Sequence, residues 1–160
     1  MEKQHKSIEE MWNNYLIKIG EDKNSTDKKY EAWYFGNNEE MANELGELVR
    51  NGTKKATASL DYWYNVKGEK VPEVGDVNII TDWDGIGKCI IEIIKIITLP
   101  FKDVTKKFAK IEGEGDKSLE YWRKEHQRFF KESLEEENIE FSEDMLVVCE
   151  EFEVVYKIND

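Results

Sequence analysis

The chain has 160 residues, 39% of them apolar and 36% charged, with two prolines, ten glycines, two cysteines and a net charge of −12. This is the composition of one globular domain, and it excludes the collagen-like, disordered and disulfide-scaffold classes; at this length roughly 70% of the unfolded chain's surface is buried on folding, so the core needs no disulfide or metal. The acidic balance argues against broad, sequence-blind affinity for nucleic acid, double-stranded DNA included, because that affinity rests on many cationic contacts to phosphates.

The first ten residues, MEKQHKSIEE, carry neither an apolar core nor a small-residue cleavage site. Ser7 and Glu10 have capping-box spacing, and Ile8, Met11, Trp12, Tyr15, Leu16 and Ile19 fall on one stripe that predicts an amphipathic helix ending at Gly20. Residues 21–29 are polar and turn-rich, the expected linker between a helical element at 1–29 and a main domain at 30–160. A short aromatic segment follows at 30–36, then a second helix from about Asn38 with Met41, Leu45, Leu48 and Val49 inward and Gly52 at its end.

After Gly52 the texture turns to β, with strands expected at 57–60, 77–81 and 87–98. The last is apolar at both parities from Cys89 to Ile97, which predicts a central strand covered on each side. The apolar run 89–101 is interrupted by Glu92 and Lys95, too early for a membrane span, so a cytoplasmic protein is expected. Helices are predicted over about 104–111 and 119–136, the second carrying Leu119, Trp122, His126, Phe129, Phe130 and Leu134 on or near its buried stripe, and a final strand over 145–158. Strands grouped together with helices inserted between them predict an α+β fold, a small curved sheet or β-barrel flanked by helices. Cys89 and Cys149 lie in apolar runs and read as buried reduced thiols.

Charge is unevenly spread. Residues 131–153 hold ten acids and one lysine, while residues 50–130 hold fifteen basic residues against thirteen acids. Lys54 and Thr57, in the spacing G-x-K-x-x-T after Gly52, bring an amine and a hydroxyl towards one opening, a proton-transfer pair or a carbonyl and phosphate clamp. The alternative is a cap glycine followed by solvated lysines. Neither GxxxxGK[ST] nor GxGxxG is present. Glu112, Glu114 and Asp116 around Gly113 and Gly115 either bind a divalent ion or cap the next helix, and capping is the preferred reading; His126, with no histidine partner, reads as a core or rim residue. No metal or cofactor is expected.

The order Trp33-x-Phe35-Gly36, Gly52-x-Lys54-x-x-Thr57-Ala58-Ser59-Leu60, Val74-Gly75-Asp76, Pro100-Phe101 and Phe108-Ala109-x-x-Glu112-Gly113-Glu114-Gly115-Asp116-x-Ser118-Leu119-x-Tyr121-Trp122-Arg123-x-x-His126-x-x-Phe129-Phe130 resembles the bacterial ASCH domain family over roughly residues 30–157. The resemblance implies a PUA-like β-barrel decorated by helices, with a cleft at its mouth, in a family associated with RNA binding and including hydrolases of acylated cytidine nucleosides and of RNA. It implies catalytic roles for Lys54, Thr57 and Glu112, with Glu114 the rival of Glu112, and Ser118 as the serine of the RNA-cutting members. Lys55, Glu114, Ser118 and Arg123 are the expected substrate-side residues, Lys55 as a cation beside Lys54 and Arg123 as a partner for the acids of 113–116. The ligand is expected to be a nucleoside, a nucleotide or short RNA. Two rival readings are an RNA-binding module without chemistry, stacking bases on Trp63, Tyr64 and Trp83, and a protein-interaction domain presenting the acidic 131–153 face.

Overall fold

A computed structural model describes residues 3–158. In chain order the elements are α1 (Lys6–Lys18), β1 (Tyr30–Trp33), α2 (Glu39–Arg50), β2 (Ala56–Leu60), the short α3 (Tyr62–Asn65), β3 (Val77–Thr81), β4 (Gly87–Pro100), a 3₁₀ turn (Phe101–Asp103), α4 (Lys106–Glu112), α5 (Leu119–Glu135) and β5 (Leu146–Lys157). The strands form one sheet in the order β1-β3-β4-β5-β2, with β1 parallel to β3, β3 antiparallel to β4 and β2 antiparallel to β5. The expected α+β class holds; the expected barrel closure does not. The edge strands β1 and β2, four and five residues long, each ladder with one neighbour and leave the sheet open.

The chain divides into two compact units. One comprises Met1–Gly52, Gly75–Ile93 and Glu153–Asp160, and the other Thr53–Val74 and Ile94–Phe152. In the first, the predicted stripe of α1 buries Ile8, Met11, Trp12, Tyr15 and Leu16 against Val77, Ile79 and Ile90, while its last member, Ile19, is the C-cap and 39% exposed. Its N-cap is His5 rather than Ser7: the His5 ring accepts from the Ser7 amide, and the Ser7 hydroxyl accepts from the Gly87 amide at 2.9 Å, which ties α1 to the start of β4. Asn38 caps α2 by accepting from the Met41 amide.

Strand β4 is the middle strand of the sheet, as its composition predicts, and Cys89, Ile90, Ile91 and Ile93 are buried at both parities. Two-faced burial stops there: past the Val77–Glu92 pair that ends the ladder with β3, Ile94 and Ile97 are 48% and 46% exposed.

The second unit is built around Leu60, Phe101, Val104, Ala109, Trp122, Phe130, Leu134, Val147 and Cys149. Thr105 caps α4 and Ser118 caps α5, each accepting from the amide three residues on. Phe101 meets Trp122, Phe130 and Phe141 at ring-centre separations of 5.3, 6.2 and 5.0 Å, an aromatic floor that fixes the inner face of α5. Both cysteines are free and buried, and burial pushes each thiol up to about 12, so neither is a nucleophile at neutral pH. Among the described residues no helix is long and apolar enough to cross a membrane.

Candidate active site

Two glycines bring the site together. Gly113 ends α4 in the left-handed region at φ 72°, where a Cβ would stand 2.1 Å from the Thr53 carbonyl oxygen. Only glycine lets the end of α4 lie directly on the 53–54 backbone. The Lys55 amide completes the contact by donating to the Ile111 carbonyl at 3.0 Å. Gly115, at φ 56°, passes over the Tyr121 ring so closely that a Cβ would overlap it. Glu112 and Glu114 are thereby held over the first turns of α5, where Trp122 and His126 lie one turn apart.

Lys54 is 2% exposed and Glu112 1%, in a protein whose other charged side chains are mostly at the surface. The Lys54 ammonium donates to the Ala56 carbonyl at 2.7 Å and stands 3.3 Å from Glu112 Oε1 and 3.6 Å from Glu114 Oε2. His126 Nε2 lies 2.9 Å from Glu112 Oε1 and 3.8 Å from Glu114 Oε2, and Trp122 Nε1 donates to Glu112 Oε2. Glu112 is therefore held by a lysine, a histidine and an indole.

Both nitrogens of His126 face oxygens, Nδ1 the Trp122 carbonyl at 2.9 Å and Nε2 the Glu112 carboxylate. A neutral imidazole satisfies one such contact as donor, an imidazolium both. Burial by itself would lower the His126 pKa, but the charge and hydrogen bond of Glu112, with Glu114 behind it, outweigh burial and raise it. Glu112 is likewise disfavoured as an anion by burial and rescued by Lys54 and His126, which hold it at about 2. Glu114 goes the other way: burial and the neighbouring Glu112 charge raise it despite Lys54. The two adjacent carboxylates are pushed in opposite directions, Glu112 towards the anion and Glu114 towards the protonated acid. Glu112, Glu114 and His126 also offer ligand atoms within 4.8 Å of one another, but the cation seated among them is the Lys54 ammonium.

Of the residues singled out from sequence, Lys54, Glu112 and Glu114 come together, so the two rival glutamates share one site. Thr57 is in none of these contacts. Alternation along β2 places it and Ser59 on the side opposite Ala58 and Leu60, which join the core, and it pairs across the ladder with Glu150. Lys55 is exposed and contributes its backbone, and Ser118 serves as the α5 cap, its own amide held by Asp116. The Arg123 guanidinium donates to the Lys102 carbonyl at 3.1 Å rather than to the acids of 113–116. Of the aromatic side chains expected to stack on bases, Trp63 packs against the core, Tyr64 shares a 2.7 Å hydrogen bond with Ser59, and Trp83 is 38% exposed beside Tyr34.

Sequence reasoning missed His126 as a site residue. The available signal was its position four residues after Trp122, which puts both side chains on one face of the helix that follows the two glutamates.

A model of the ASCH domain matches residues 31–156. Among solved structures, the ASCH domain from Lactobacillus crispatus JV V101 is 39% identical, with 98% of each chain covered and a TM-score of 0.89. Protein EF3133 from Enterococcus faecalis V583 is 38% identical over 95% of this chain and 90% of its own, with a TM-score of 0.83. No curated protein sequence matches the chain. With its motifs in order and the family match spanning most of its length, the chain belongs to the ASCH domain family, whose fold is PUA-like and which is associated with RNA binding.

Proposed function

We propose that this ASCH domain binds an unpaired nucleobase, carried by a nucleoside, a nucleotide or short single-stranded RNA, at the Glu114–His126 edge of the cluster, and hydrolyses an acyl amide on that base. One observation carries the reading. Glu114, the more exposed of the two carboxylates at 18% side-chain exposure against 1% for Glu112, is also the one with a raised pKa, and it stands 3.6 Å from a buried ammonium. A carboxylate so poised takes a proton from water as the water oxygen bonds to the acyl carbon. The charges of Lys54 and His126 behind it stabilise the negative charge that builds on the carbonyl oxygen. When the C–N bond breaks, the base's amino nitrogen recovers the proton from Glu114, leaving a free carboxylic acid and an unmodified base. Glu112 does no proton transfer; it holds the lysine and the histidine in place.

Recognition without chemistry is the second reading, and it has its own support. Among the described residues no buried side-chain nitrogen or oxygen lacks a hydrogen-bond partner, so the cluster is also a completed network that joins α4 to α5. Incubation with N4-acetylcytidine, following release of acetate and cytidine, separates the two. Turnover lost in Glu114→Gln supports hydrolysis. Binding of cytidine or short RNA without turnover supports recognition alone, and neither binding nor turnover overturns both.

A further inference from the structure

A second cluster of cations lies in the first unit. Lys18 at the end of α1, Arg50 and Asn51 at the end of α2, and Tyr156 and Lys157 on β5 line a cavity of about 490 Å³. Three of its residues are cationic and none is acidic, in a chain of net charge −12. The Lys18 ammonium donates to the Val155 carbonyl at 3.1 Å and lies 6.0 Å from the centre of the Tyr156 ring. Arg50 donates to the Ile158 carbonyl at 2.9 Å and pairs with Glu47 at 3.1 Å. Among the described residues, neither Lys18 nor Lys157 has a carboxylate at ion-pair distance.

Cations at helix ends have an ordinary use, offsetting the partial negative charge there. Lys18 and Arg50 stand at the ends of two helices, each of which carries about half a negative charge, and Arg50 is engaged with Glu47 as well. Lys157 is on a strand and has no helix end of its own to offset. The volume exceeds what a bare inorganic anion fills and falls within the usual range for small-molecule sites. The rest of the wall, Tyr156 and Val154, offers apolar surface for a sugar or base.

We propose that this cavity binds the phosphate of a nucleotide, free or within single-stranded RNA, with Lys18 and Lys157 as its cationic ligands. The proposal does not rest on the Glu114–His126 reading, which concerns an uncharged base, so each can fail without the other.

Titration of the full chain with inorganic phosphate, cytidine, cytidine 5′-monophosphate and a short single-stranded RNA tests it. The monophosphate is expected to bind more tightly than either cytidine or phosphate. The Lys18→Gln/Lys157→Gln pair should weaken that binding about tenfold, with the arginine pair restoring it. For the RNA, loss of two phosphate contacts should flatten the slope of log affinity against log salt by about 1.4. The melting temperature should move by about 2 °C or less, as for surface substitutions. Tighter binding of RNA than of the monophosphate identifies the RNA backbone as the source, and equal binding a free nucleotide; both support the site. Binding that the glutamine pair leaves unchanged, or a monophosphate that binds no better than cytidine or phosphate, overturns it.

Discussion

Trp122 and His126, one turn apart on α5, stack with ring centres 4.1 Å apart and hold opposite oxygens of the same carboxylate, that of Glu112. The indole N–H occupies one oxygen and the imidazole the other, and the imidazole shares its oxygen with Lys54. A buried carboxylate is expensive unless its lone pairs are filled and its charge is matched. Here one face of one helix supplies both an aromatic wall and two of the three donors. Glu114 Oε2 stands further off, 3.6 Å from the Lys54 ammonium and 3.8 Å from His126 Nε2.

Trp122→Phe tests the indole's part in that arrangement. It preserves most of the packing on Phe101 and Phe108 but removes the N–H that Glu112 accepts. Leaving a buried carboxylate oxygen short of a donor should cost about 1–3 kcal/mol in denaturant unfolding. A loss below about 0.5 kcal/mol, the scatter of neutral substitutions, would mean that the hydrogen bond contributes little.

The cluster also sets a pH profile. The Glu112 pKa is lower in the folded chain, at about 2 against 4.5, so its contribution is present above 4.5 and is lost as pH falls towards 2. His126 has the opposite sign: its pKa is raised from 6.5, so its contribution is full below 6.5 and is lost as pH rises through the folded value. Glu114, raised from 4.5, likewise favours the acid side. Denaturant midpoints should therefore be higher near about pH 5.5 than at about pH 8.5, and His126→Gln should flatten the alkaline decline. Equal alkaline slopes in the two proteins would show that His126 does not titrate above its ordinary value.

Gly113→Ala is expected to be worse than an ordinary glycine substitution. A left-handed backbone costs a side chain about 1 kcal/mol by itself. Here the new Cβ also meets the Thr53 carbonyl, backbone that cannot swing aside, at 2.1 Å. The variant should lose several-fold more stability than Gly20→Ala, where the left-handed φ is similar and no atom lies within 4 Å of the added Cβ. Equal losses at the two positions would mean that the α4 end moves freely from the 53–54 backbone.

Helix faces, the middle position of β4 and the pairing of Lys54 with Glu112 could be read from the chain because each rests on local pattern or on a motif in order. Barrel closure could not, since it depends on whether β1 and β2 find a second neighbour, a long-range pairing that no short window encodes. The same holds for Ile94 and Ile97, which look like their buried neighbours in the sequence but stand 48% and 46% exposed beyond the end of the β3 ladder. His126 was hidden for another reason. A lone histidine among aromatics has the composition of a core residue, and it joins the cluster only because two glycines place Glu112 and Glu114 beside its Nε2. Arg123 shows the converse, a charge beside the acidic turn in sequence whose hydrogen bond runs to Lys102 instead.

Placement and resemblance lead to different expectations for two side chains, and a pair of variants separates them. If Glu114 moves the proton, Glu114→Gln should lower turnover of N4-acetylcytidine by about 100-fold or more, the usual worth of a general base. Its stability should be unchanged or improved, because the raised pKa marks a charge that the fold disfavours. Thr57 lies on the other side of β2 from the core-facing Ala58 and takes no part in the contacts of Lys54, so Thr57→Ala should keep most of the activity. The resemblance assigns Thr57 a catalytic role and predicts the reverse. Turnover lost in Thr57→Ala and retained in Glu114→Gln would move the chemistry to the Ser59–Tyr64 side of the strand and leave the buried cluster as a structural ion network. Turnover lost in both would require the ligand to reach around β2, and Lys54, whose ammonium donates to the Ala56 carbonyl between the two sides, would be the group that both share.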